Sequence, residues 1–125
     1  AFNTKFHNTL WVPAHFHTYF LLGVVLMILG VVYHVCGKLS GIPENMKRSR
    51  LCIGLICAGG YGLVLMFYLG GAMSIPRRYA QYHELIASGT FLAGTALGFI
   101  SCLFAGILIY IWETGRRCVA ALVTS

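Results

Sequence analysis

Charge is scarce in this chain. Only 10% of its 125 residues are charged, and three of them are acidic. A soluble domain of this length cannot hide a composition that is 58% hydrophobic, because small domains bury a limited fraction of their surface. The mean hydropathy of +0.79 points the same way. Lipid solvates apolar side chains directly, so an integral membrane protein is expected.

A continuous basic face is also missing. Nine Lys and Arg residues leave a net charge of +6, but they fall in short groups between apolar runs. Nucleic-acid binding needs a stripe or patch, so no nucleic-acid partner is expected and the basic groups read as topology signals. There is no Cys-x-x-Cys and no Cys/His zinc spacing. Cys36, Cys52, Cys57, Cys102 and Cys118 are odd in number and mostly lie within apolar runs. They read as small buried apolar residues rather than a disulfide framework. Internal repeats and low-complexity tracts are absent. A secretory signal is not expected, since the first apolar run is too long and lacks a charged start and a small-residue cleavage site.

What is present is three long apolar runs, Trp11 to Cys36, Leu51 to Met73 and His83 to Trp112. Each exceeds the about 20 residues that a helix needs to cross a bilayer. The fold class expected is all-α integral membrane, with transmembrane helices near 11–36, 51–73 and 83–113. Asn8 or Thr9 can cap the first helix, and Pro13 falls in its first turn, where a missing N–H costs nothing. The polar stretch Gly37 to Arg50 reads as a loop. Gly54, Gly59, Gly60, Gly62, Gly70 and Gly71 in the second run permit close approach of a helix or a flat cofactor. Gly94-Thr95-Ala96-Leu97-Gly98 is a GxxxG, by itself a weak packing signal.

Lys38, Lys47, Arg48 and Arg50 in the first loop, with Arg116 and Arg117 in the C-terminal tail, place that loop and tail inside by the positive-inside bias. The N-terminus and the second loop then face outside. Arg77 and Arg78 break the bias, because they fall in the outer loop. Two adjacent arginines there want an anionic partner.

His15-Phe16-His17 lies near the outer end of the first span. Ionisable residues in a bilayer are costly and usually functional. Two positions along an α-helix amount to a rotation of about 200°, so the imidazoles leave opposite faces and cannot chelate one metal together. Each can ligate a separate centre, and neutral imidazole is a standard axial ligand of haem iron. The plainer alternative is a pair of histidines hydrogen-bonded to neighbouring helices or seated at the headgroup level. Arginine's rigid fork suits carboxylates, and haem carries two propionates, so Arg77 and Arg78 are candidates to hold them. Their plainer alternative is a lipid-headgroup or solvent contact.

His7-Asn8-Thr9-Leu10-Trp11-Val12-Pro13-Ala14-His15-Phe16-His17, an apolar helix, and then Pro76-Arg77-Arg78-Tyr79 resemble the last three helices of subunit I of the haem-copper terminal oxidases. The resemblance runs from about His7 to Glu113. It implies that residues 1–125 are a C-terminal fragment of a bundle of about twelve helices, in which cofactor sites are built from facing helices. By that resemblance His15 matches the axial ligand of the high-spin haem and His17 one of two ligands of the low-spin haem. Phe16 resembles the aromatic bridge between the haems, and Arg77 and Arg78 match the propionate-holding pair. His7 matches a ligand of a magnesium (or manganese) site, where the family often has His-Asp and this chain has His7-Asn8, one carboxylate fewer. Val12-Pro13, Gln81 and His83-Glu84 also depart from the common form.

The resemblance implies two haems of the A type and a copper ion, B, held by a companion chain. The companion is the rest of subunit I. Subunits II and III, the lipid bilayer and an electron donor, cytochrome c or quinol, are the other partners. The expected activity is reduction of oxygen to water coupled to proton movement, with the mitochondrial inner membrane favoured over a bacterial plasma membrane. This chain supplies no catalytic residue of its own and cannot act alone. Of its other histidines, His34 lies roughly 25 Å along the helix from His17, and His83 starts the third run. A nitric oxide reductase relative and a non-enzymatic subunit of a respiratory complex are the alternative readings.

Overall fold

A computed structural model describes residues 7–76 and 86–124. Helix α1 spans Trp11–Ser40, α2 spans Met46–Ala72 and α3 spans Ile86–Thr124. Each contains a stretch long and apolar enough to cross a membrane. Among the described residues the one departure from helix pairing is an isolated β-bridge between Thr9 and Pro76.

Local chemistry sets most of the ends. The Thr9 hydroxyl accepts the Trp11 N–H at 3.3 Å, satisfying a donor that has no intrahelical partner. At its other end α1 stops at Gly41, whose φ of 63° lies in the left-handed region that glycine tolerates. Asn45 then caps α2 by accepting the Arg48 N–H on Oδ1 at 3.2 Å. The loop between α1 and α2 is therefore only residues 41–45. The flanking polar residues expected in that loop are helical, because Lys, Arg and Met are good helix formers and nothing before Gly41 breaks the chain.

α2 ends in a Schellman motif. Ile75 N–H donates to the Gly70 carbonyl at 2.9 Å and Ser74 N–H to the Gly71 carbonyl at 3.0 Å. Ser74 takes the left-handed position at φ 59°, usually a glycine's place. The motif turns the chain back so that Ile75 O accepts from Leu10 N–H at 3.0 Å.

α1 is not a uniform α-helix. Phe20–Val25 forms a π-helical turn between two α-helical stretches, Trp11–Tyr19 and Leu26–Ser40. The upper stretch packs on α2 and the lower on α3. The wider turn adds a residue to the helical circuit and rotates the face presented below it, which lets one helix serve two partners.

α2 and α3 make the closest pair, and glycine is the reason. A Cβ at Gly59 would lie 2.5 Å from Leu103 N, and one at Gly106 would lie 2.7 Å from Ile56 Cγ1. At Gly62 the Phe99 ring occupies the space a side chain would take. A Cβ at Gly94 or Gly98 of the GxxxG would meet nothing within 4 Å among the described residues. Where the helices converge, Leu22, Val25, Ile56, Gly60, Leu103 and Ile107 help line an apolar cavity of about 30 Å³. Its walls offer water no partners, so it stays dry.

Large apolar side chains remain exposed along the outside, among them Met27, Ile28 and Val31 on α1 and Phe91, Leu97, Phe104 and Leu108 on α3. They need lipid or further helices to cover them. The chain is an integral membrane protein, with three membrane-length helices among the described residues.

α3 runs to Thr124, beyond the end expected near residue 113. Arg116 and Arg117, expected in a tail, are helical, and Arg117 is buried. Its guanidinium lies 4.5 Å from the centre of the Tyr33 ring on α1, so aromatic stacking and helix packing carry the helix past its apolar run.

Candidate functional site

The start of α1 is anchored before any candidate ligand is reached. A Cβ at Gly71 would lie 2.4 Å from Trp11 N, and one at Gly70 would lie 2.8 Å from the Leu10 side chain. The end of α2 therefore lies directly against the first turn of α1. Trp11 packs its ring edge-on against Tyr68 at 4.7 Å, and Tyr68 Oη is 3.2 Å from Thr18 Oγ1. Ala14, between these contacts, is fully buried.

His15, Phe16 and His17 project from this anchored turn. His17 is half-buried and faces α2, with its ring 5.6 Å from that of Phe67. Its Nδ1 lies 2.6 Å from the Pro13 carbonyl oxygen. A carbonyl only accepts, so Nδ1 is the donor of this bond, which leaves Nε2 as the nitrogen open to other partners. That arrangement is the one a metal-ligating histidine adopts when its other nitrogen is oriented by a backbone carbonyl. Proline at position 13 removes one intrahelical donor, while its carbonyl supplies the orienting bond.

His15 is exposed and lies edge-on to Tyr19 at 4.9 Å. Among the described residues it makes no hydrogen bond. Phe16 is 58% exposed and stacks on Phe20 at 5.4 Å with an interplanar angle of 15°. A helix turn thus offers one oriented imidazole towards α2, one free imidazole on its outer side, and an aromatic pair between. Each imidazole belongs to a residue type able to ligate a metal-bearing group.

Arg77, Arg78 and His83 lie outside the described residues. Pro76, the residue before Arg77, is bridged to Thr9 beside the start of α1. His7 is exposed in the turn preceding α1, and no group of three or more potential metal ligands occurs among the described residues. His34 is exposed near the far end of α1.

A second polar cluster went unrecognised in the sequence. Glu113 on α3 has a side chain only 3% exposed, and it accepts from Arg48 Nη1 on α2 at 2.9 Å and from Arg116 Nε at 2.9 Å. The signal was there in part: Glu113 is one of only three acids and ends an apolar run next to two arginines. Its partner on α2, 65 residues away, could not be read from local pattern.

Residues 1–100 match the family described as Cytochrome C and Quinol oxidase polypeptide I. The chain belongs to that family. It is 32% identical over 118 residues to cytochrome c oxidase subunit 1 of Cereibacter sphaeroides, covering 92% of this chain and 21% of the relative. It is 32% identical over 75 residues to cytochrome c oxidase subunit 1 of Thermus thermophilus, covering 58% of this chain and 13% of the relative. The chain therefore spans about a fifth or less of these relatives' lengths and corresponds to a part of subunit I. No solved structure matches it.

Proposed function

We propose that the chain is the C-terminal part of subunit I of a respiratory terminal oxidase and supplies one axial ligand to each of two haems. The observation that carries this reading is the Nδ1 contact of His17 to the Pro13 carbonyl. It orients the half-buried imidazole of the pair through Nδ1 and leaves Nε2 as the nitrogen for a ligand.

In this reading His17 Nε2 holds the low-spin haem iron and His15 the high-spin haem iron. Phe16 fills the space between the two groups. Arg77 and Arg78 hold haem propionates through bidentate, charge-assisted hydrogen bonds. When bound, the haems and a copper ion supplied by a companion chain carry the electrons for reduction of oxygen to water. The residues of this chain do something narrower. They would orient the ligating imidazoles, His17 through its bond to the Pro13 carbonyl and the whole turn through the close approach of Trp11 to Gly71. A magnesium site at His7 belongs to the same reading, as does haem of the A type.

The names of the relatives make cytochrome c the favoured electron donor, with quinol the other donor in the family's description. The remaining part of subunit I, with subunits II and III, completes the assembly. The basic ends of the helices face the inside and the start of α1 faces outside, in the mitochondrial inner membrane rather than a bacterial plasma membrane. Proton movement across that membrane accompanies oxygen reduction.

Purification in mild detergent tests the reading. The chain should co-purify with a larger helical membrane polypeptide, and the complex should show low-spin and high-spin haem bands. Recovery of the chain as a stable species without haem or companion would overturn it.

A further inference from the structure

At the basic end of the bundle, opposite the histidines, two thiols meet. Cys36 Sγ on α1 lies 2.6 Å from Cys118 Sγ on α3. That is longer than the about 2.03–2.05 Å of a sulfur–sulfur bond, and both are free thiols, but it places the two sulfurs in direct contact. Both side chains are half-buried. Their neighbours on the two helices also meet, since a Cβ at Gly37 would lie 3.1 Å from Arg117 Nη1. Arg117 in turn stacks on Tyr33, whose hydroxyl is 2.5 Å from Ser49 Oγ. Helix packing thus brings the two sulfurs together without help from either thiol. Cys52, by contrast, is buried and donates to the Gly106 carbonyl at 3.3 Å.

We propose that Cys36 and Cys118 form a reversible dithiol–disulfide pair that links the basic ends of α1 and α3, with a peroxide as oxidant. One thiol attacks hydrogen peroxide, giving a sulfenic acid and one water. The second thiol displaces the hydroxyl, forming the sulfur–sulfur bond and releasing a second water. The two thiols together lose two electrons and two protons, and peroxide is reduced to two waters. An external dithiol reverses the bond by exchange, becoming a disulfide itself.

The location favours reversibility. Lys38, Lys47, Arg48, Arg50 and Arg116 cluster at this end of the helices, which the positive-inside bias assigns to the reducing side of the membrane. The pair rests as dithiol there and closes only when oxidant rises. Closure fixes the lower stretch of α1 to α3, below the π-helical turn, while the histidines remain at the opposite end. The proposal does not depend on haem ligation, because its readout is thiol chemistry alone.

The test uses the assembled complex in its native membrane. The complex is reduced with dithiothreitol, freed of reductant, exposed to hydrogen peroxide and alkylated with a maleimide before peptide mass spectrometry. Cys36 and Cys118 should escape alkylation and appear as one cross-linked peptide pair, lighter by two hydrogens than the separate peptides. Dithiothreitol should then restore labelling of both. In Cys118→Ser the cross-link should vanish, while Cys52→Ser should retain it. Free alkylation of both thiols after peroxide overturns the proposal, as does a link that dithiothreitol does not open. The wild-type measurement decides by itself should a variant fail to assemble.

Discussion

A side chain on Gly71 would collide with the backbone of Trp11, its Cβ falling 2.4 Å from that residue's nitrogen. The collision would involve main chain on both helices, so neither side can yield by rotating a side chain. The same contact positions the turn that carries His15 and His17.

Gly71→Ala should therefore lower stability by about 1–3 kcal/mol, the usual range for overpacking, and perturb both haem bands together. Thermal unfolding of the complex, followed by its absorbance spectrum, checks this. Gly94→Ala is the contrast. Among the described residues nothing lies within 4 Å of its Cβ position, and alanine improves helix propensity by about 1 kcal/mol. A loss of stability there would report a companion helix seated on α3.

His17→Ala should remove the low-spin band, and His15→Ala should abolish exogenous ligand binding at the high-spin iron. Loss of an orienting partner to a metal ligand alone costs about 10–100-fold, so loss of the ligand itself should reduce turnover by at least that much. Spectra of the two purified variants decide the assignment. One substitution erasing both signals in a complex that still assembles would count against it.

Glu113→Gln should destabilise the complex. Removing one partner of a buried ion pair costs about 3–5 kcal/mol, but Arg48 is half-exposed here, which reduces the expected loss to about 1–3 kcal/mol. Combining Glu113→Gln with Arg48→Gln should cost less than the sum of the two, because the first change already leaves Arg48 without its carboxylate. Midpoints of thermal unfolding for the wild type, singles and double close the cycle. Strict additivity would mean that the 2.9 Å contact carries no coupling.

Arg78→Lys keeps the charge and loses the planar fork. If a propionate is its partner, the variant should shift a haem midpoint potential downwards by tens of mV, since about 59 mV corresponds to a tenfold change for one electron. The sign follows from moving positive charge away from a group that becomes more negative on reduction. Redox titration of both haems in Arg77→Lys and Arg78→Lys makes the measurement. Unchanged potentials in both would return the arginines to the membrane surface.

Three membrane-crossing helices were legible because burial in lipid is a local property. A run of about 20 apolar residues needs no knowledge of its neighbours. The divergence of the His15 and His17 rings was legible for a similar reason, since 3.6 residues per turn sets it. The π-helical turn at Phe20–Val25 carried no such signal, because nothing in Phe-Leu-Leu-Gly-Val-Val distinguishes it from an α-helix. The Gly94–Gly98 motif misleads if taken alone: within this chain α3 packs through Gly106 and Phe99, and α2 through Gly59 and Gly62. Tertiary structure alone decided that Arg117 is buried on Tyr33, that Glu113 takes Arg48 as partner, and that Cys36 meets Cys118 across 82 residues. Those contacts arise where the C-terminal ends of the parallel helices α1 and α3 meet each other and the N-terminal end of α2. Helical periodicity fixes the direction in which a side chain leaves its own axis, but only the rotation and depth of the packed neighbour determine what it meets.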